Sequence, residues 1–176
     1  ALTISQFSRQ QIASHYPALK NKLFVTYLAG TLAHNQSRVT RENHVVILGR
    51  VEQKKNIQIV LDAWEQISRD RSDFDAKLFL IGKPGFGSAQ ILLRIAKPPL
   101  LNKVEWLGWL PPAEVAKQLA SSRGLLFPGQ VEGFGIPVLD AWAVGVPVAV
   151  SAGGALPEVT GSAGLVVPNN VEAWVA

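Results

Sequence analysis

The chain has 176 residues, 48% of them hydrophobic and 17% charged, and a net charge of +4. That length supports one domain with a real core, and that balance excludes a disordered chain. It has no cysteine, which excludes disulfides, thiolate catalysis and cysteine-based zinc sites.

Taken in chain order, residues 5–17 predict a short helix capped by Ser5 or Ser8. Residues 23–28 form an apolar run of strand length. Residues 30–43, rich in Thr, Asn, Ser and Arg, have the chemistry of a loop or linker. A regular alternation follows. Residues 44–48 (HVVIL) predict a buried parallel strand. Residues 56–69 place Ile57, Val60, Leu61, Trp64 and Ile67 at helical spacing. Strands are expected at 78–81, 104–107, 125–127, 146–150 and 163–167, with helices at 88–95, 113–120 and 136–144. Pro137 suits the first turn of the last of these helices. Such alternation predicts an α/β fold, a Rossmann-like doubly wound parallel sheet. Ligands of such sheets bind beyond the carboxyl ends of the strands.

Some functions find no support. No apolar run approaches the ~18 residues of a membrane span, and the amino terminus is too polar for a signal peptide. The three histidines, His15, His34 and His44, lack metal-ligand spacing and read as surface or loop residues. Asn35-Gln36-Ser37 matches a glycosylation sequon of a kind common by chance. The run from Gly82 to Gly87 is glycine-rich but lacks the dinucleotide fingerprint, and no P-loop occurs. The basic residues are scattered, and the pI near 9.6 suits an anionic ligand or membrane surface better than a nucleic acid.

Three segments carry candidate chemistry. The first, GRVEQKKN (49–56), follows a strand and opens a helix. Cations there oppose the helix dipole unless an anion sits between them, so Arg50 and Lys55 read either as a phosphate clamp or as solvated side chains. The second, PGQVEGFGIPVLD (128–140), runs from strand through a glycine loop into a helix. Gly133 and Gly135 allow close backbone approach, and Glu132 and Asp140 could reach opposite ends of one ligand. A capping acid and a solvated helix acid is the plainer alternative. The third, SAGGALPE (151–158), is either a strand-to-helix turn with Glu158 as an early helix acid, or a further ligand contact.

Together GRVEQKKN, LFLIGKPGFG, VEWLGWLPPAEVA, LLFPGQVEGFGIPVLDAWAVGVPVAVS and GGALPEVTGSAGLVVP resemble the C-terminal, donor-binding domain of the family-4 retaining glycosyltransferases, half of a GT-B fold. The likeness runs from about His44 to the end. It implies that Arg50 and Lys55 bind the diphosphate of a nucleotide-sugar donor. It implies that Glu132, first acid of the Glu-seven-residues-Glu signature, contacts the transferred sugar, and that Asp140, where the family has the second Glu, contacts the ribose. Backbone amides of Gly133, Phe134, Gly135 and Ile136 would hold the sugar and β-phosphate. Gly82, Lys83, Leu107 and Gly108 would flank the nucleobase. Gly129 stands where a serine is typical, removing a hydroxyl.

The resemblance further implies sugar transfer to a hydroxyl acceptor with retention, needing no metal or other cofactor, with the donor as substrate and no nucleic-acid partner. GKPGFG is similar to members using GDP-mannose; UDP-glucose and UDP-N-acetylglucosamine stay open. Residues 1–22 would end an N-terminal acceptor domain and 23–176 would form the nucleotide-sugar domain. The remaining acceptor domain would be a partner in the same protein, and the family's crossing C-terminal helix is expected to lie beyond 171–176. The expected location is cytoplasmic, at or near a membrane surface. The alternatives are a related epimerase or phosphorylase, a binding module without transferase activity, and a basic domain for membranes or nucleic acid.

Overall fold

The computed structural model describes residues 1–32 and 39–176. His34, the sequon at Asn35-Gln36-Ser37 and the middle of the 30–43 linker lie outside the described residues. The amino-terminal segment pairs β1 (Leu2–Thr3) with β2 (Phe24–Val25) in parallel, across α1 (Gln6–His15) and a 3-10 turn at Pro17–Lys22. Ser5 caps α1, its hydroxyl accepting from the Ser8 amide. The strand expected at 23–28 thus shrinks to two residues. Phe24, Tyr27 and Leu28 are exposed, so this apolar run is not a core strand.

The main sheet has six parallel strands: β3 (His44–Leu48), β4 (Lys77–Ile81), β5 (Val104–Gly108), β6 (Leu125–Phe127), β7 (Val148–Ser151) and β8 (Leu165–Val167). Their spatial order is β5-β4-β3-β6-β7-β8. The chain therefore builds outward from β3, returns to the centre at β6, and builds outward the other way. Crossovers on the two sides diverge between β3 and β6, which leaves a crevice at their carboxyl ends.

The helices are α2 (Ile57–Asp70), α3 (Ser88–Ile95), α4 (Pro112–Ser121), α5 (Ile136–Ala143), α6 (Leu156–Thr160) and α7 (Val171–Val175). Adjacent residues of a strand point to opposite faces. Accordingly Ile47 joins one buried cluster with Val60, Leu61, Leu80 and Ile91, while Val46 joins another with Ile81, Phe127, Val138 and Leu156. The spacing of Ile57, Val60, Leu61 and Trp64 buries one stripe of α2 in the first cluster. Short α7 packs Trp174 against the same cluster.

β7 begins two residues later than its sequence suggests. Gly145 takes a left-handed conformation (φ 73°), and the Val146 amide closes α5 by donating to the Ala141 carbonyl at 2.9 Å. Pro147 has no amide to give, so pairing starts at Val148. His44 also departs from its expected surface place. It is buried at 2% exposure and stacks on Phe79 with ring centroids 4.6 Å apart, because it occupies an inward position of β3.

Candidate functional site

Two loops meet at the crevice between β3 and β6. The loop after β3 runs from Gly49 to a 3-10 turn at Gln53–Lys55 and enters α2 through Asn56, which is left-handed at φ 52°. The loop after β6 runs from Pro128 to Gly135, which caps α5 at φ 114°. The Gln130 amide donates to the Lys54 carbonyl at 3.2 Å, joining the two loops.

Lys55 and Glu132 come together across this junction. The Lys55 ammonium donates to Glu132 Oε1 at 2.7 Å, with the two side chains 18% and 14% exposed. The ammonium also lies 5.4 Å from the centre of the Phe127 ring. Seventy-seven residues apart in sequence, a cation and an anion thus share one partly desolvated spot at the topological switch point. Gly129 has a role that sequence reasoning missed. A Cβ there would sit 2.5 Å from Glu132 Oε1 and 2.9 Å from its Cγ, so a side chain at 129 would require the Glu132 side chain to shift from its present place against Lys55. The serine-to-glycine departure gives space to the carboxylate.

The 151–158 segment fixes the backbone of the same loop. The Ala155 amide donates to the Glu132 carbonyl at 2.8 Å. A Cβ on Gly153 would lie 2.3 Å from the Gln130 carbonyl oxygen, and one on Gly154 would lie 2.4 Å from that of Glu132. Ser151 Oγ donates to the Gly129 carbonyl. These glycines serve close packing of one loop on another. α1 holds the loop from the other side. Ser5 and Ser8 hydroxyls donate to the Gly133 carbonyl at 2.8 and 3.3 Å. Glu158 accepts from the amides of Gln6 and Phe7 at 2.7 and 3.0 Å. Burial would raise the Glu158 carboxyl, but those amides and the Tyr27 hydroxyl outweigh it and hold its pKa below the usual value. Neither contact is legible from local sequence pattern.

Arg50 starts in the same loop but turns toward the loop after β4. It is exposed, with Nε 3.4 Å from Glu52 and one terminal nitrogen donating to the Pro84 carbonyl at 3.3 Å, and neither of these bonds reaches Lys55 or Glu132. Glu52 is nearly buried between Arg50 and Lys54. A concavity of about 400 Å³ is lined by Glu52, Gln53, Lys54, Phe86 and Gln130. The carboxyl ends of β4 and β5 join at the neighbouring rim. There the Gly82 amide donates to the Gly108 carbonyl at 2.7 Å, and Trp106 Nε1 donates to the Gly82 carbonyl at 2.9 Å. Leu107 is half-buried beside Gly108, and Lys83 projects over Trp109. Phe134 is buried, with its ring 6.1 Å from that of Tyr27. Asp140 is placed differently from the other acid. It is buried on α5, where its carboxylate accepts from Thr31 and Leu32. A separate apolar concavity of about 460 Å³ lies at the opposite end of the sheet, by Gly124, Leu125, Pro147 and Val148.

The described residues contain no helix long and apolar enough to cross a membrane. The chain is 29% identical to the O-antigen chain mannosyltransferase B of Escherichia coli, across 98% of this chain and 48% of that protein. It is 30% identical to the MMP alpha-(1->4)-mannosyltransferase of Mycolicibacterium hassiacum, across 99% of this chain and 43% of that one. It thus spans about half the length of these curated relatives. Its fold matches the sucrose-phosphate synthase structure from Thermosynechococcus elongatus with a TM-score of 0.80 at 20% identity, across 99% of this chain and 46% of that one. It also matches Anabaena Alr3699/HepE, solved in complex with UDP and glucose, with a TM-score of 0.83 at 18% identity, across 99% and 51%. The sheet is therefore the Rossmann-like half of a GT-B fold. The family model described as "Glycosyl transferases group 1" matches residues 42–176, and the chain belongs to the group 1 glycosyltransferases.

Proposed function

We propose that this chain is the donor-binding half of a retaining glycosyltransferase that moves a hexose from a nucleoside diphosphate sugar to a hydroxyl acceptor. The observation that carries the reading is the Lys55–Glu132 contact of 2.7 Å at the switch-point crevice. In this reading the donor's diphosphate enters beside Arg50 and Lys55. Their charge, with the amino end of α5, offsets the negative charge that grows on the leaving diphosphate. Glu132, released from Lys55 by the incoming phosphate, accepts from hydroxyls of the sugar and orients it. Amides of Gly133 to Ile136 complete the cradle, and Gly82, Lys83, Leu107 and Gly108 form the rim for the base. The bond from the anomeric carbon to the β-phosphate oxygen breaks, the acceptor oxygen bonds the anomeric carbon, and the acceptor proton passes to the departing diphosphate. The two cations supply the counter-charge, so no metal enters the scheme.

Mannose is the sugar this reading favours, because both relatives described above are mannosyltransferases by name, and GDP is the nucleotide it favours, from the GKPGFG segment's likeness to GDP-mannose users. A UDP-hexose is the alternative. The reading includes an acceptor domain in the same protein, a cytoplasmic location and contact with a membrane surface. It is tested by incubating the chain, alone and joined to an acceptor domain, with GDP-mannose or UDP-glucose. The expected result is transfer with the donor's anomeric configuration retained, from GDP-mannose, by the joined protein only. Inverted product, or epimerised or phosphorolysed sugar without transfer, would contradict it.

A further inference from the structure

Asp140 occupies the family's second acid position, yet its surroundings differ from those of a ligand residue waiting for substrate. It is 5% exposed. Its Oδ1 accepts from the backbone amides of Thr31 and Leu32 at 2.5 and 3.0 Å. The Thr31 hydroxyl lies 3.1 Å from Oδ1 and 3.0 Å from Oδ2. A carboxylate has about four acceptor positions, and here three donors from Thr31 and Leu32 already occupy it, with both backbone amides on Oδ1. The chain lies flush against the helix here. A Cβ on Gly30 would approach Asp140 Oδ1 to 3.2 Å and Leu139 to 3.3 Å. Leu32 continues the contact by packing on the cluster that contains Val138 and Ala141.

Resting on the donor-site reading above, we infer that Asp140 is a positioning residue that pins the 30–32 connection to α5, and that its carboxylate is not a ligand of the ribose. α5 is the helix whose amino end forms the Gly133–Ile136 cradle. A tie about one turn into that helix holds residues 30–32 against the element that carries the cradle, so losing it should loosen the cradle. Shortening glutamate to aspartate suits this role, because the carboxylate stays close to the helix surface, where the Thr31 and Leu32 amides lie.

The test compares GDP with 2′,3′-dideoxy-GDP by calorimetry on the wild-type chain, Asp140→Asn and Thr31→Val, with amide hydrogen exchange measured on the same samples without nucleotide. Melting temperatures identify any variant unfolded at the assay temperature, and Thr31→Val then stands in for Asp140→Asn. The expected result is protected Thr31 and Leu32 amides in the wild type and faster exchange at both in Asp140→Asn. Both nucleotides should lose affinity by the same factor, about fivefold. A penalty seen with GDP and absent with the dideoxy form would overturn the inference, as would unprotected wild-type amides. If no nucleotide binds the wild type, the donor-site reading fails, and the exchange of the two amides still decides what Asp140 holds.

Discussion

Replacing Lys55 with alanine should weaken nucleoside diphosphate binding by about a hundredfold, the scale of removing one member of a desolvated charge pair. The loss has two sources. The diphosphate loses an ammonium that is only 18% exposed, where charge attraction is less screened than at the surface. Glu132, 14% exposed, also loses its 2.7 Å partner and presents an uncompensated carboxylate to the incoming phosphates. The second source gives the prediction its sign. Adding Glu132→Gln to Lys55→Ala should restore part of the nucleotide affinity, although Glu132→Gln alone should weaken the nucleotide-sugar more than the bare nucleotide. A calorimetric double-mutant cycle with GDP and GDP-mannose measures both effects. Unchanged affinity in Lys55→Ala would place the phosphates elsewhere.

Gly82→Ala should lower stability by about 3–5 kcal/mol, the sum of overpacking and of an unfavourable positive φ. Gly82 follows β4 at φ 149°, and a Cβ there would lie 1.9 Å from the Gly49 carbonyl oxygen and 2.6 Å from its carbon. Neither atom is the tip of a flexible side chain. To admit the methyl group, the ends of β3 and β4 must part. The Gly82–Gly108 bond and the Trp106 bond to the Gly82 carbonyl would then be strained together. At this chain length that cost corresponds to a melting temperature about 10 °C lower. Gly108→Ala is the control. Gly108 has φ 73° with nothing within 4 Å of an added Cβ, so it carries only the conformational term, about 1–2 kcal/mol. Equal shifts in the two variants would show that crowding at Gly49 is not the cause.

The contrast between Gly82 and Gly108 also shows what sequence can and cannot carry. Both were readable as glycines after strands, and as rim residues through the family resemblance, but only the three-dimensional structure separates close packing from open space. The strands 44–48 and 125–127 and the helix 88–95 fall where the residue pattern places them, because an uninterrupted apolar run or a 3.6-residue stripe is local information. That Lys55 and Glu132 serve one site was implied by family resemblance, but their direct ion pair was not legible in the sequence. The bond from Asp140 to Thr31 spans 109 residues, and that from Ser5 to Gly133 spans 128. No periodicity encodes such pairings. Gly129 was legible as a missing hydroxyl, whereas its packing against Glu132 depends on a side-chain direction that spacing does not determine. His44 was misplaced for a related reason. A histidine looks polar in sequence, while a ring stacked on Phe79 in a parallel strand behaves as core.

That the crevice between the ends of β3 and β6 holds a nucleoside diphosphate is tested most directly by titrating the ¹⁵N-labelled chain with GDP and UDP and following its amide signals. The expected result is that the largest shifts fall on Arg50, Lys55 and the Gly133–Ile136 cradle, with Gly124 and Val148 at the far end of the sheet unmoved. Shifts concentrated around Gly124 and Val148, with Arg50, Lys55 and the cradle silent, would contradict it.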